Sequence, residues 1–182
     1  MRDELEVKLV EKYPEIFRDR KGNIMKSAMP WGFEIGDGWY DIIDVLCSMI
    51  SRDVNMLKHD VREISNQLAQ KNKEHWNDWA VSYYTEELLE DSKKKLQDAL
   101  TNLPYATQVK EKFGLLRFYV SYATEQHHEF IRMAEYLSER TCEVCGKMGS
   151  HTYFMGWSKT LCRDHAIEHY GLKDVEEYEK NV

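Results

Sequence analysis

Between Trp39 and Leu103 the chain has neither a glycine nor a proline. Only three prolines occur in all 182 residues, so this long stretch holds no residue that must stop a helix. Also missing is any run near the roughly 20 apolar residues that a membrane helix needs. No apolar segment of a secretory signal follows Met1-Arg2-Asp3-Glu4. The expectation is a cytoplasmic protein that does not enter membranes. Basic patches are scarce as well. Arg18-Asp19-Arg20-Lys21 and Lys93-Lys94-Lys95 are both flanked by acids, in a chain of formal net charge −7. Phosphate backbones repel such a chain, so direct contact with nucleic acid is disfavoured. Cysteine is limited to four, and the three that cluster cannot all pair, which excludes a disulfide framework.

Those three cysteines carry the chemistry. Cys142, Cys145, Cys162 and His165 read C-x2-C-x16-C-x2-H. Two residues between ligands let one tight turn aim both side chains at a point, and sixteen are enough for a hairpin that joins the pairs. That is the spacing of a tetrahedral Cys3His zinc site. His151 and His169 are rival fourth ligands; His165 is preferred because its interval from Cys162 mirrors the first pair. Four protein donors leave no open coordination position, so the Zn²⁺ is read as structural. Three thiolates around one Zn²⁺ would carry the formal charge to about −8.

The remaining chain has 42% hydrophobic and 12% aromatic residues, ample for a core. Leu5, Leu9, Val10 and Tyr13 predict a helix over 3–13 that Pro14 ends. A glycine-punctuated loop follows, with a short extended piece at Phe33–Ile35. Asp37 is expected to cap the next helix, rather than to serve in a ligand loop. Ile43, Leu46, Ile50, Val54, Leu57, Val61, Ile64 and Leu68 then step by threes and fours, a seam of coiled-coil period. A turn is predicted near 70–75. A second helix carries Trp76, Trp79, Tyr83, Leu89, Leu96, Leu100 and Leu103 to Pro104. The pair predicts a long antiparallel helical hairpin of roughly 40 Å or more at 1.5 Å per residue. It either projects or belongs to the core, and its seam closes within one chain or, in a homodimer, between two.

After it the period changes to two. Segments 107–112 and 115–121 flank Phe113-Gly114, a β-hairpin with Leu116, Phe118 and Val120 on one side. A helix over 125–139 follows, with Phe130, Ile131, Ala134 and Leu137 inward. Strands at 152–155 and 158–161 and a final helix opened by Cys162 complete a treble-clef-like zinc module, with Leu172, Val175 and Tyr178 further along the tail. The fold expected is thus α+β and mainly helical. Residues 1–140 form one domain with the helical hairpin inserted at about 53–103, and residues 141–182 form the zinc-binding module packed on it.

Three blocks, Phe33-Glu-Ile-Gly-Asp-Gly-Trp-Tyr-Asp41, Val109-Lys-Glu-Lys-Phe-Gly-Leu-Leu-Arg-Phe-Tyr-Val120 and Thr141-Cys-Glu-Val-Cys-Gly146, stand in that order ahead of a closing Trp…Thr-Leu-Cys segment. In them the chain resembles a family of largely uncharacterised phage and prophage proteins. The resemblance covers both ends of the chain and not the helical middle. It implies a phage-encoded protein acting in the cytoplasm of a bacterial host. Many members place a fourth cysteine where this chain has His165, and no activity or catalytic residue comes with the resemblance.

Three functions are weighed. The first is a non-enzymatic protein-interaction protein that binds a bacterial host complex, for which inhibition of a host defence system such as CRISPR is the specific expectation. The second is an HNH-like nuclease, a class built on treble clefs, with His151 and His169 in the catalytic roles. Against it, the first turn of the last helix already serves the zinc. The third is a zinc-dependent nucleic-acid-binding module using Tyr153, Phe154, Trp157 and Lys159. For those four, packing around a small zinc core is the preferred reading.

Overall fold

The computed structural model describes residues 1–70, 78–154 and 156–171. In chain order its elements are α1 (Asp3–Lys12), β1 (Phe33–Glu34), α2 (Tyr40–Gln70), α3 (Asp78–Tyr83), α4 (Glu86–Thr101), β2 (Tyr105–Lys112), β3 (Leu115–Ser121), α5 (Glu125–Ser138), β4 (Ser150–Phe154), β5 (Trp157–Leu161) and α6 (Arg163–Tyr170). The fold is α+β and mainly helical, with two small sheets and one long helix. No described helix is long and apolar enough to cross a membrane. The chain divides into two units, Met1–Ile50 with Pro104–Val182, and Ser51–Leu103.

In the first unit the sheet order is β1-β2-β3. β2 and β3 form the antiparallel hairpin anticipated from the period of two. Their turn residues Phe113 and Gly114 have φ of 55° and 78°. Two successive positive values are the twist that a two-residue hairpin turn requires, and Gly114 adopts its value without a Cβ clash. β1 adds to β2 in parallel, Phe33 opposite Val109. A two-residue strand has too little pattern to announce that pairing in sequence. The open edge of β3 is closed by α5, whose Ser138 Oγ accepts from the Leu116 N–H at 3.0 Å and whose Glu135 accepts from the Phe118 N–H at 3.2 Å. Pairing those donors with side chains removes a bare strand edge.

Leu9, Ile16, Phe17, Met29, Trp39, Ile43, Leu46, Val109 and Leu116 are buried in this unit. The Phe17 ring lies 4.9 Å from Phe33 and 6.3 Å from Phe118. A charged residue is buried too: Glu6 is 7% exposed, pairs with Arg20 and accepts from the Phe33 N–H at 3.1 Å. Arg20 in turn donates to the Pro30 carbonyl at 2.9 Å. Each polar atom is thus supplied with a partner, which is what makes the burial tolerable.

Two expectations fail here. Asp37 does not cap a helix, because its carboxylate is taken by the backbone N–H of Arg2 at 2.7 Å and by the Arg2 guanidinium. The Arg2 backbone N–H foremost, and its guanidinium second, hold the Asp37 carboxyl below its usual range against the opposing effect of partial burial. Leu137 is 45% exposed rather than inward, whereas Ile131, Ala134 and Ser138 are buried. The buried face of α5 includes serine because the edge of β3 needs its oxygen. Leu137, Phe130 and Met133 instead line an open groove of about 220 Å³ with Ile42, Val45 and Met49.

The second unit contains α2 from Ser51 onward, α3 and α4. Val54, Ile64, Leu89 and Leu103 are buried, and Leu57, Val61, Leu68, Leu96 and Leu100 are half-buried. The single second helix expected here is in fact two. Thr85 stands between them with extended backbone, and its hydroxyl accepts from the Leu88 N–H at 3.1 Å. Thr85-Glu86-Glu87 is a legible helix start, an N-cap oxygen followed by acids at the positive end of the dipole. Trp79 and Tyr83 do not face inward: they are 63% and 51% exposed, with rings stacked 5.0 Å apart. Of the predicted turn near 70–75, all but Gln70 lies outside the described residues, as do Trp76, Met155, Leu172, Val175 and Tyr178.

Candidate metal centre

The end of α5 hands the chain directly to the first two ligands. Thr141 bonds back to Ser138, then Cys142-Glu143-Val144-Cys145-Gly146 folds into a knuckle in which the Gly146 N–H donates to the Cys142 carbonyl at 2.9 Å. The Cys142 N–H donates to the Lys147 carbonyl at 2.8 Å, closing the loop. β4 and β5 form the intervening hairpin, with Ser150 opposite Leu161. Cys162 is the N-cap residue of α6, so His165 falls one turn into that helix.

The result brings Cys142, Cys145, Cys162 and His165 together, all four donor atoms within 4.8 Å of one another. His165 Nδ1 lies 3.4 Å from Cys142 Sγ and 3.2 Å from Cys162 Sγ, and Cys145 Sγ lies 3.8 Å from Cys162 Sγ. A tetrahedron with metal–sulfur bonds near 2.3 Å and a metal–nitrogen bond near 2.0 Å has edges of about 3.8 Å between sulfurs and about 3.5 Å from sulfur to nitrogen. The donor set therefore fits a metal ion in both composition and spacing. Cys142 is fully buried and Cys162 nearly so, His165 is half-buried, and Cys145 is exposed.

The rival histidines are placed elsewhere. His151 donates its Nε2 to the Phe113 carbonyl at 2.8 Å, and the His169 ring packs against Tyr170 at 4.9 Å. Neither belongs to the cluster, which is the one metal-competent group among the described residues.

The knuckle rests on a seat that spacing arguments did not reveal. The Gly38 N–H donates to the Glu143 carbonyl at 2.7 Å, and the Trp39 indole donates to the Thr141 carbonyl at 2.8 Å. A Cβ on Gly38 would stand 2.1 Å from the Cys142 carbonyl oxygen, and one on Gly36 would stand 2.2 Å from that of Glu143. Only glycine lets two backbones approach so closely. Gly36-Asp37-Gly38-Trp39 is thus neither a ligand loop nor simply a helix cap; it is the surface on which the knuckle sits.

Glu143, between the first two cysteines, was likewise missed. One carboxylate oxygen accepts from the Gly36 N–H at 3.1 Å, and the other accepts from Lys159 of β5 at 2.9 Å. Lys159 also reaches Glu111 of β2 at 2.9 Å. Burial by itself would lower the Lys159 ammonium, but its bonds to Glu143 and Glu111 prevail and hold it above the ordinary value. Thr160 donates to the Gly114 carbonyl at 2.7 Å, so the β2–β3 turn is also bound to the metal hairpin. No sequence signal marks these partners, because each pair is brought together only by the tertiary fold. Tyr153 and Trp157 do not pack around a zinc core: they are 62% and 73% exposed. Thr152, Thr160 and Leu161 are the buried positions among the described side chains of these strands, to which Phe154 does not belong.

Neither a family model, nor a curated protein, nor a solved structure matches this chain.

Proposed function

We propose that this is a non-enzymatic protein-binding protein whose C-terminal part is clasped by one structural Zn²⁺ in a treble-clef-like module. The observation that carries the reading is the closed donor set of Cys142, Cys145, Cys162 and His165. Four protein ligands complete a tetrahedron and leave no position for a substrate or an activated water, so the ion stabilises rather than catalyses. The knuckle and the first turn of α6 supply two ligands each with the β4–β5 hairpin between them, the order that a treble clef uses.

The recognition surface in this reading is the Ser51–Leu103 unit, taken as an antiparallel helical hairpin with Trp79 and Tyr83 as its anchors. Exposed aromatics that hold a fixed mutual geometry are suited to be binding hot spots, since little side-chain entropy remains to be lost. The net charge of −7 suits a basic, nucleic-acid-handling partner. With the phage-family resemblance, that favours a host defence complex such as CRISPR in a bacterial cytoplasm as the target. The test compares capture of a bacterial defence complex by the parent chain and by a Trp79→Ala/Tyr83→Ala variant of unchanged metal content. Capture that is lost in the variant supports the reading, and capture equal in both removes this surface from it.

A second reading has one observation in its favour. The exposure of Tyr153 and Trp157 on the metal hairpin suits stacking of unpaired bases. Against it, Lys159 is committed to two carboxylates rather than to a phosphate. Binding of a single-stranded oligonucleotide that weakens steeply with salt and disappears in Trp157→Ala would support the module. Absence of binding at low salt would remove it.

A further inference from the structure

We propose that Cys145 is an oxidation site, at which a peroxide converts the Cys145–Cys162 pair to a disulfide and opens the clasp. This rests on reading the cluster as a metal site. Of the four donors, Cys145 is the exposed one. It borders a pocket of about 320 Å³ whose wall also includes Arg2, Asp37, Tyr40, Asp41 and Val144. Charged and hydroxyl-bearing side chains dominate that wall, which suits a small polar oxidant such as hydrogen peroxide. Cys142 and Cys162, by contrast, are buried.

A metal-held cysteine is a thiolate, the form that attacks peroxide. Cys145 Sγ bonds to one peroxide oxygen as the O–O bond breaks; hydroxide leaves, and Cys145 becomes a sulfenic acid. The Cys162 thiolate, 3.8 Å away, then attacks Cys145 Sγ. The S–S bond forms, the S–O bond breaks and a second hydroxide leaves. The two thiolates have together lost two electrons, one peroxide has gained them, and two protons from solvent turn the hydroxides into water. Cys142 and His165 remain, too few donors for a closed site. Cys47 serves as an internal control. It is fully buried, and burial pushes its thiol well above the ordinary range, so it stays unreactive.

The test begins with metal analysis of the purified chain, which should give one zinc per molecule. The loaded protein is then treated with hydrogen peroxide while zinc release is followed with a chromogenic chelator. Parallel samples are trapped with a sulfenic-acid reagent and mapped by mass spectrometry. Expected are an early adduct on Cys145, a later Cys145–Cys162 disulfide, stoichiometric zinc release, an untouched Cys47, and recovery with thiol reductant and zinc. A Val144→Trp variant, which shades the pocket without altering a ligand, should release zinc severalfold more slowly at equal metal content. A chain without metal overturns both the metal reading and this inference. A loaded chain whose first modified cysteine is not Cys145, or that keeps its zinc under peroxide, overturns this inference alone.

Discussion

Among the described residues of the Ser51–Leu103 unit, side-chain hydrogen bonds such as Thr85 to Leu88, Glu90 to Lys93 and Gln97 to Thr101 join near neighbours. Around the knuckle they join residues as far apart as Gly36 and Glu143, 107 positions along the chain. The two regions solve different problems. A helix draws its bonds from its own sequence and needs only caps and an apolar face. The knuckle gathers segments that the chain must close long loops to bring together, and loop closure costs entropy that local bonds never face. Four donors gathered on one ion would return that cost in a single cooperative step. Metal is expected where contacts are distant, and caps where they are local.

Removing the ion should therefore divide the molecule most sharply. In Cys142→Ser, or with a strong chelator, hydrogen exchange should show protection collapsing across 141–171 while the amides of α4 keep theirs. Zinc stabilises small metal-folded modules by on the order of 10 kcal/mol, so this is the largest effect expected. If α4 loses protection in parallel, the contrast between the regions fails.

Next in size is Gly38→Ala. Its Cβ would meet the Cys142 carbonyl and the Gly146 nitrogen, both backbone atoms that cannot turn aside. A loss of about 3 kcal/mol is expected, on the scale of overpacking a tight contact. The loss should appear in thermal melts and as weaker zinc retention in a chelator competition. A variant with unchanged zinc affinity would show that the seat and the knuckle are energetically separate.

The ease with which each part could be read from sequence follows the same division. The α2 seam, the β2–β3 hairpin and the four candidate ligands were legible because period and spacing are local quantities. Where a residue has a distant partner, local rules gave the wrong answer. Asp37 looks like a cap until Arg2 claims it, and Leu137 looks inward until Ser138 is needed at the β3 edge. Glu143 and Lys159 carry no pattern at all, since their partners lie on other strands. The break at Thr85 is different: its capping signal was local, but a glycine-free run invited one continuous helix.

Lys159→Met tests the polar side of the knuckle. It strands Glu143, which is nearly buried, and partial solvent screening of Lys159 keeps the expected cost near 2 kcal/mol, below that of breaking a fully buried pair. The pH dependence has a definite sign. The folded ammonium is held above its ordinary value, so its contribution is complete below about pH 10.5, the free-lysine value. It is lost as pH rises through the folded value. Parent and variant stabilities should converge in strong alkali, and a gap that widens there would contradict the assignment.

The smallest expected change probes the local side of the comparison. Thr85→Ala removes one hydroxyl that accepts the Leu88 N–H at 3.1 Å, leaving a first-turn donor of α4 to water. N-cap losses of this kind cost about 1 kcal/mol, and Glu86 and Glu87 in the first turn still favour the positive helix end. Hydrogen exchange should quicken in the first turns of α4 alone, with zinc content and the protection of 141–171 unchanged. Thr85→Ser keeps the acceptor and should restore the parent pattern. If Thr85→Ala instead loosened the knuckle, the helical unit would be coupled to the metal centre, and the bonds around Thr85 could no longer be treated as local.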